Sequence, residues 1–249
     1  ENNHEVREIS EWVFDFKEKY NCDAAVCTHS DICIVEDCLW VAVRGNNVLL
    51  EYNMSTEKYC FWKVGKKEIQ YVTITFDGDY FWLSGDKRFI VRWNKENNEV
   101  MIFDDFPQGF EYGTKEINWK ELFSCGCLWN GNIYFLPLNS NMLIKFNRNS
   151  GNMNYILKIM PDHICFKMKA INKEEVYVEE IYMNILLRAN SYNILSDDQY
   201  KESDLKFGIN DEIDGNYMEN KIGILNEDYP FQLFSFLGLK KYENDVSKH

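Results

Sequence analysis

Proline and histidine are scarce in this chain, at 4 residues each among 249. So little proline does not fit a proline-rich linker or a disordered segment. Two of the histidines, His4 and His249, lie near the chain ends. A copper site that needs paired histidines is therefore not expected.

Long apolar runs and an excess of basic residues are also missing. No apolar run approaches the roughly 20 residues that span a bilayer, so we expect no membrane insertion. Lys and Arg number 27 against 40 Asp and Glu, which gives a formal net charge of −13. Because nucleic acid would be repelled by such a chain, nucleic-acid partners are not expected.

Signature motifs of catalysis and cofactor binding are absent as well. The chain has no Gly-x-Ser-x-Gly elbow and no Gly-rich phosphate loop. The sequence thus predicts no cofactor and gives no positive indication of an enzyme.

Aromatic residues are abundant, and they recur in a pattern. Four segments share one order: an apolar residue, a charged residue, usually an aromatic residue, and then Asn. They end at Asn53, Asn94, Asn147 and Asn190, which are spaced 41, 53 and 43 residues apart. About 12 to 13 residues before each Asn lies an aromatic residue in an apolar stretch. These aromatic residues are Trp40, Trp82, Tyr134 and Tyr177. Periods of about 40 to 50 residues with several short strands are typical of propeller blades.

Each repeat has the same internal order of four strands and three polar turns. In the second repeat, Asp77-Gly78-Asp79 separates two strands, and Asn94 begins a later turn. We attribute the recurrent Asn to turn chemistry, since its side chain bonds nearby backbone and tolerates positive φ. The sequence predicts an all-β fold, a β-propeller or partial propeller of four-stranded blades with short flanking helices.

Residues 48–62, 89–103 and 142–156 resemble the second half of a kelch or galactose-oxidase-type propeller blade. The chain lacks the Gly-Gly pair of kelch blades and the Trp-Asp dipeptide of WD-type blades. The resemblance implies a bacterial kelch-like propeller, in which six or seven blades are usual.

Three regions are predicted. Residues 1–30 are an N-terminal helix and lead-in, in which Trp12, Phe16 and Tyr20 have helical spacing. Residues 31–196 are four blade repeats. Residues 197–249 are an acidic loop, over 197–220, and a C-terminal helix after Asp228. Because four blades are few, we expect a preceding segment, unrecognised flanking strands, a small ring, or a second copy of the chain to complete the ring.

Eight cysteines include a cluster of possible metal ligands. The cluster comprises Cys22, Cys27, Cys33 and Cys38. Its spacings differ from the paired Cys-x2-Cys of structural zinc, so buried thiols are favoured over zinc. Reduced thiols in turn favour a cytoplasmic location. Cys125-Gly126-Cys127 is interpreted as strand, and an acidic stretch at residues 210–216 as a turn rather than a calcium loop.

Two functions remain open. The favoured one is a non-enzymatic binding or protein-interaction propeller that presents loops and aromatic residues at one face to a protein or carbohydrate ligand. The alternative is a carbohydrate-active or peptide-modifying enzyme at the central channel. Its acid and base candidates are Asp77, Asp79 and Glu179, for which turn chemistry and solvent exposure are the simpler interpretations.

Overall fold

The computed structural model describes residues 11–20, 32–43, 46–113, 120–159, 163–170, 174–182, 188–195 and 199–202. These residues form one helix and sixteen strands. The helix is α1 (Glu11–Tyr20).

The strands form four antiparallel sheets of four strands, and in each sheet the strands follow one another in chain order. Sheet 1 contains β1 (Ile32–Val35), β2 (Cys38–Val43), β3 (Val48–Asn53) and β4 (Tyr59–Lys63). Sheet 2 contains β5 (Tyr71–Phe76), β6 (Phe81–Gly85), β7 (Ile90–Trp93) and β8 (Val100–Phe103). Sheet 3 contains β9 (Phe123–Trp129), β10 (Asn132–Pro137), β11 (Met142–Phe146) and β12 (Met153–Lys158). Sheet 4 contains β13 (His163–Ala170), β14 (Glu175–Tyr182), β15 (Arg188–Leu195) and β16 (Tyr200–Glu202).

Consecutive sheets pack face to face. Strands β1 and β2 lie against β5, β5 and β6 lie against β9, and β10 lies against β13. The first strands of neighbouring sheets thus adjoin, while the fourth strands carry the more exposed residues, as in β4 and β8. Four-stranded meanders that pack in this way are the blades of a β-propeller. The predicted fold class is confirmed, and each sheet is called a blade below.

The hydrophobic core lies between the blades because side chains alternate along each strand. In blade 2, Phe81 and Leu83 join a cluster shared with blade 1, whereas Trp82 joins a cluster shared with blade 3. Val176 of blade 4 packs in a third cluster with Tyr134 of blade 3. Each blade therefore buries both of its faces where it has a neighbour on both sides.

The recurrent aromatic residues of the sequence pattern occupy equivalent places. Trp40, Trp82, Tyr134 and Tyr177 lie in the second strand of blades 1, 2, 3 and 4, and all four are fully buried. Large rings at this place fill the space between consecutive blades.

Blade 4 departs from the prediction at two points. Asn190 lies inside β15, paired with Glu180, so the prediction that it ends a strand is wrong. Its segment Leu187-Arg188-Ala189-Asn190 lacks the aromatic residue that the other three repeats place before Asn. In addition, β16 extends blade 4 past residue 196, into the segment predicted as a loop. The sequence did not indicate this strand, because the polar Tyr200-Lys201-Glu202 carries no apolar signal.

Helix α1 confirms the predicted N-terminal helix over its described part. Phe16 is buried, and its ring lies edge-on to Phe61 of β4 at 5.3 Å. The Tyr59 hydroxyl donates a hydrogen bond to Asp15. The helix thus covers one face of blade 1, with Phe16 packing against Val48 and Leu50. The predicted C-terminal helix lies outside the described residues.

No helix in the described part of the chain is both long and apolar enough to cross a membrane.

The meander divides the connections between two opposite faces. The asparagine face carries the turns β1–β2, β3–β4, β5–β6, β7–β8, β9–β10 and β11–β12. The loop face carries the connections β2–β3, β4–β5, β6–β7, β8–β9 and β10–β11. Gly85 joins two blades at the loop face, since its carbonyl accepts a bond from Leu122 N–H at 2.9 Å.

Candidate functional site

Three turns of the asparagine face share one set of hydrogen bonds. The Asn94 side-chain oxygen accepts bonds from the N–H groups of Glu96 and Asn97 at 2.8 and 3.2 Å. Asn147 does the same two and three residues on, and Asn53 accepts from Thr56. Turn chemistry thus accounts for these three asparagines.

The positive φ angle in these turns does not belong to the asparagine. It falls four residues later, at Glu57, Asn98 and Gly151. The expectation that the asparagine itself provides the left-handed conformation is therefore wrong. The asparagine contributes its side-chain acceptor instead.

Asp77 lies in the β5–β6 turn, where its side chain is 4% exposed. One carboxylate oxygen accepts bonds from the N–H groups of Asp79 and Tyr80, at 3.0 and 2.8 Å. The other accepts from the Trp82 indole at 2.8 Å. Both oxygens are engaged in holding the turn.

A cation from the next blade completes the surroundings of Asp77. Arg148, in the β11–β12 turn of blade 3, donates to the Asp77 carbonyl at 2.7 Å and lies 3.7 Å from its carboxylate. Asp77 therefore links blade 2 to blade 3.

The other carboxylates of the sequence prediction lie in different settings. Asp79 is exposed in the same turn as Asp77. Glu179 lies in the middle of β14 in blade 4, paired with Ser191 of β15. The structure thus places two of the three acids together and the third on another blade.

The predicted cysteine cluster is only partly described. Cys22 and Cys27 lie outside the described residues, as does the acidic stretch 210–216. Cys33 is buried in β1 and Cys38 is half-buried in β2, both in the cluster between blades 1 and 2. No group of three or more metal-ligating side chains occurs among the residues that the structure describes. Cys125-Gly126-Cys127 lies within β9, as predicted.

A charged site at the interface of blades 1 and 2 was not anticipated. Glu51 of β3 accepts hydrogen bonds from Lys95 at 2.5 Å, the Trp62 indole at 2.7 Å and the Cys60 thiol at 3.1 Å. Burial would raise the pKa of the Glu51 carboxyl, but these bonds hold it below its usual value. Burial and the neighbouring Glu51 raise the pKa of Cys60 to about 11. The sequence repeat shows a charged residue at Glu51, but it does not show that Lys95 of another blade is its partner.

The most distinctive feature of the loop face is the connection between β8 and β9. It spans residues 104–122, whereas the other connections between consecutive strands are seven residues or shorter. Residues 114–119 of this connection lie outside the described part. A long connection in a compact domain is most often functional. Its only sequence signal was the 53-residue spacing from Asn94 to Asn147, against 41 in the preceding repeat.

Aromatic rings anchor this connection in the core. Phe106 and Phe110 are buried and stacked, with ring centroids 4.2 Å apart. Phe106 also lies near Phe123 of β9, at 6.3 Å. Tyr112 continues the row at 6.4 Å from Phe110, but it is 45% exposed. The row therefore runs from the core to an exposed ring.

Hydrogen bonds fix the same connection to blade 3. Asn141, in the β10–β11 turn, accepts from Glu111 N–H and donates to the Gly109 carbonyl, each at 2.9 Å. Tyr112 forms an isolated β-bridge with Ser140. Tyr112 is thus presented on a segment, residues 109–112, whose backbone is bonded to blade 3.

Similar solved structures were found, although no protein family and no curated protein matches the chain. One is the extracellular domain of the one component system BT4673 from B. thetaiotaomicron, at TM-score 0.47 and 14% identity, covering 69% of this chain and 21% of that one. Another is the WD40 domain of Neurospora crassa Pan2, at TM-score 0.46 and 6% identity, covering 70% and 50%. Hydrazine synthase of Kuenenia stuttgartiensis follows at TM-score 0.41 and 10% identity, covering 66% and 48%.

This chain therefore spans about a fifth of the length of the first structure and about half of the other two. At such identities and TM-scores, the likenesses say nothing about activity or partners. The resemblance to kelch blades stays a prediction. The blades themselves are established by the strand order and packing, which make the chain a β-propeller or a partial propeller.

Proposed function

We propose that the chain is a non-enzymatic binding propeller that contacts a protein partner through the β8–β9 connection. The observation that carries this proposal is the presentation of Tyr112, an exposed ring on a long connection held by buried rings and by Asn141. Tyrosine is enriched among the residues that dominate binding energy at protein interfaces.

The bonds and ring contacts of residues 106–112 support this role. A segment that is already ordered before binding loses little conformational entropy when it meets a partner. Bonds from Asn141 and the stacked Phe106 and Phe110 supply that order. Tyr112 can therefore contribute its contact area at a small entropic cost.

Charge indicates the kind of partner. Asp104, Asp105 and Glu111 are exposed on the same connection alongside the exposed Lys120, and the chain carries a formal net charge of −13. An acidic surface attracts basic partners and accelerates their association. We infer a partner segment with Lys or Arg and an apolar side chain for Tyr112. Cys38 and Cys60 are thiols, which supports a cytoplasmic location.

A catalytic alternative has less support from the described residues. It would use Asp77, Asp79 and Glu179 as acid and base. Asp77 already accepts bonds on both carboxylate oxygens, and Glu179 lies on another blade. These contacts support a structural role for Asp77.

The test is a selection from a random peptide library on the immobilised full chain, with counter-selection on Tyr112→Ala. The enriched peptides are synthesised, and their affinities are measured by fluorescence anisotropy. We expect Tyr112→Ala to weaken binding at least about tenfold, the loss typical of a central aromatic contact.

Tyr155→Ala is the matched control, since Tyr155 is 47% exposed but lies on β12 of the blade edge. It should leave the affinity unchanged. Peptides that bind both Tyr112→Ala and the unaltered chain equally would contradict the proposed surface. A glycan array probed with the same variants tests the carbohydrate alternative: glycan binding lost in Tyr112→Ala would keep the surface and change the ligand class.

A further inference from the structure

Glu51 is the centre of a small polar site at the asparagine face, between blades 1 and 2. Its side chain is 11% exposed. The Trp62 indole and the Cys60 thiol, both of β4, donate to the same carboxylate oxygen, Oε2. The second oxygen, Oε1, is left for a cation, and Lys95 Nζ occupies that position at 2.5 Å.

Two tryptophan rings enclose the cation. Lys95 Nζ lies 4.9 Å from the ring centroid of Trp40 and 5.2 Å from that of Trp62. The Trp93 ring also lies near both, with its centroid 6.0 Å from that of Trp40 and 5.7 Å from that of Trp62. A carboxylate combined with aromatic faces within about 6 Å is the arrangement by which proteins bind ammonium groups.

The receptor and the occupant belong to different parts of the chain. Glu51, Trp40 and Trp62 all lie in blade 1, whereas Lys95 reaches across from the β7–β8 turn of blade 2. Lys95 is 39% exposed, so its ammonium group enters the site from the solvent side. The receptor groups thus belong to the strands of one blade, and the cation is supplied by its neighbour.

We propose that Glu51, Trp40 and Trp62, the ammonium cage, form a binding site for a primary alkylammonium group. Lys95 occupies the cage in the unliganded chain, and a lysine side chain of a protein partner can take its place. The bound group must carry an ammonium N–H, as the lysine ammonium does, because this N–H donates directly to Glu51 Oε1.

The corresponding site between blades 2 and 3 differs. There Arg92 takes the place of Glu51 in the strand, and Arg148, the counterpart of Lys95, donates to the backbone carbonyl of Asp77 in the β5–β6 turn. The ammonium cage also lies on the face opposite Tyr112. The test of the ammonium cage and the test of the proposed β8–β9 surface can therefore fail independently of each other.

The experiment removes the intrachain occupant and supplies n-butylammonium, which reproduces the end of a lysine side chain. Binding to Lys95→Ala is followed by tryptophan fluorescence. We expect Lys95→Ala to bind n-butylammonium at least about tenfold more tightly than the unaltered chain, in which Lys95 competes. In the unaltered chain the same fluorescence end point should appear at higher concentration.

Chemical selectivity is tested in the Lys95→Ala chain. Adding Glu51→Gln should weaken n-butylammonium binding at least about tenfold, since the charged acceptor is lost. Tetramethylammonium, which has no N–H to donate, and uncharged n-butanol should each bind at least about tenfold more weakly than n-butylammonium.

Two further variants separate binding from folding. Lys95→Met keeps a long side chain over the tryptophans and should fold without binding n-butylammonium. Lys87→Ala removes a lysine paired with Asp86 at the loop face and should behave as the unaltered chain. Equal binding in Lys95→Ala and Lys87→Ala, no binding in folded Lys95→Ala, or no response of the unaltered chain at any concentration would overturn the proposal.

Discussion

At the asparagine face three turns repeat one set of bonds, whereas at the loop face the connections differ in length and bonding. Asn53, Asn94 and Asn147 each accept backbone bonds within their own turn. The residues after two of them, Lys95 and Arg148, reach to the preceding blade. Among the described residues of the loop face no such repeat occurs, and its β8–β9 connection spans residues 104–122.

This difference teaches where to look for structure and for function in a repeat fold. Interactions that recur in several repeats stabilise the turns and, through Lys95 and Arg148, join neighbouring blades. A segment that occurs once, on the same rigid scaffold, is available for recognition. We therefore expect variants of the turn asparagines to change stability and variants of the β8–β9 connection to change the binding of a partner at Tyr112.

The largest expected effect is the loss of Asp77. Asp77→Ala leaves the buried Trp82 indole N–H without its acceptor and removes the carboxylate beside Arg148, so we expect the free energy of unfolding to fall by about 3 kcal/mol. Chemical denaturation measures this. Asp79→Ala, in the same turn but exposed, is the control and should stay within about 0.5 kcal/mol. If Asp77→Ala lost less stability than Asp79→Ala, other contacts would have to hold blades 2 and 3 together.

Asn141→Ala tests whether the β8–β9 connection needs its attachment to blade 3. Two hydrogen bonds are lost, so stability should fall by about 1–2 kcal/mol. Affinity for a selected peptide should fall as well, since the connection must then be ordered on binding. Unchanged affinity would mean that the stacked rings alone fix Tyr112.

Asn94→Ala is the complementary change at the asparagine face. The turn loses its side-chain acceptor for two N–H groups, and we expect a stability loss of about 1 kcal/mol with unchanged peptide affinity. Asn94→Asp, which keeps the acceptor, should recover most of the loss. If it recovers nothing, the asparagine acts through its donor group instead.

The smallest expected effect is a change in stability at acidic pH. Because the pKa of Glu51 is lowered in the folded chain, its stabilisation is present above the unfolded pKa of about 4.3 and is lost as pH falls through the folded value. The stability advantage of the unaltered chain over Glu51→Gln should therefore shrink below about pH 4.3. Denaturation at several pH values checks this, and a constant difference would contradict the ionised Glu51–Lys95 pair.

Much of the architecture was predictable from the sequence because it depends on local patterns. Trp40, Trp82, Tyr134 and Tyr177 mark the second strands through alternation and spacing. The turn asparagines were predictable for the same reason, since their bonds stay within a few residues. Asn190 misled because one residue of a pattern cannot determine a strand end when its aromatic partner is missing.

The interactions between blades were not predictable, because they join residues far apart in sequence. Glu51 and Lys95 are 44 positions apart, and Asp77 and Arg148 are 71 apart. The sequence shows the charges but not which of them meet. The exposure of Tyr112 was not predictable either. The extra length before Asn147 indicates an insertion, but only the structure shows that Phe106 and Phe110 are buried while Tyr112 is exposed.

The most direct test of the separation between the two faces is the affinity of one selected peptide for Tyr112→Ala and for Asn94→Ala, measured under conditions where both are folded. We predict that Tyr112→Ala binds at least about tenfold more weakly than the unaltered chain while Asn94→Ala binds equally well. Equal affinities for Tyr112→Ala and the unaltered chain, or a loss confined to Asn94→Ala, would contradict this account.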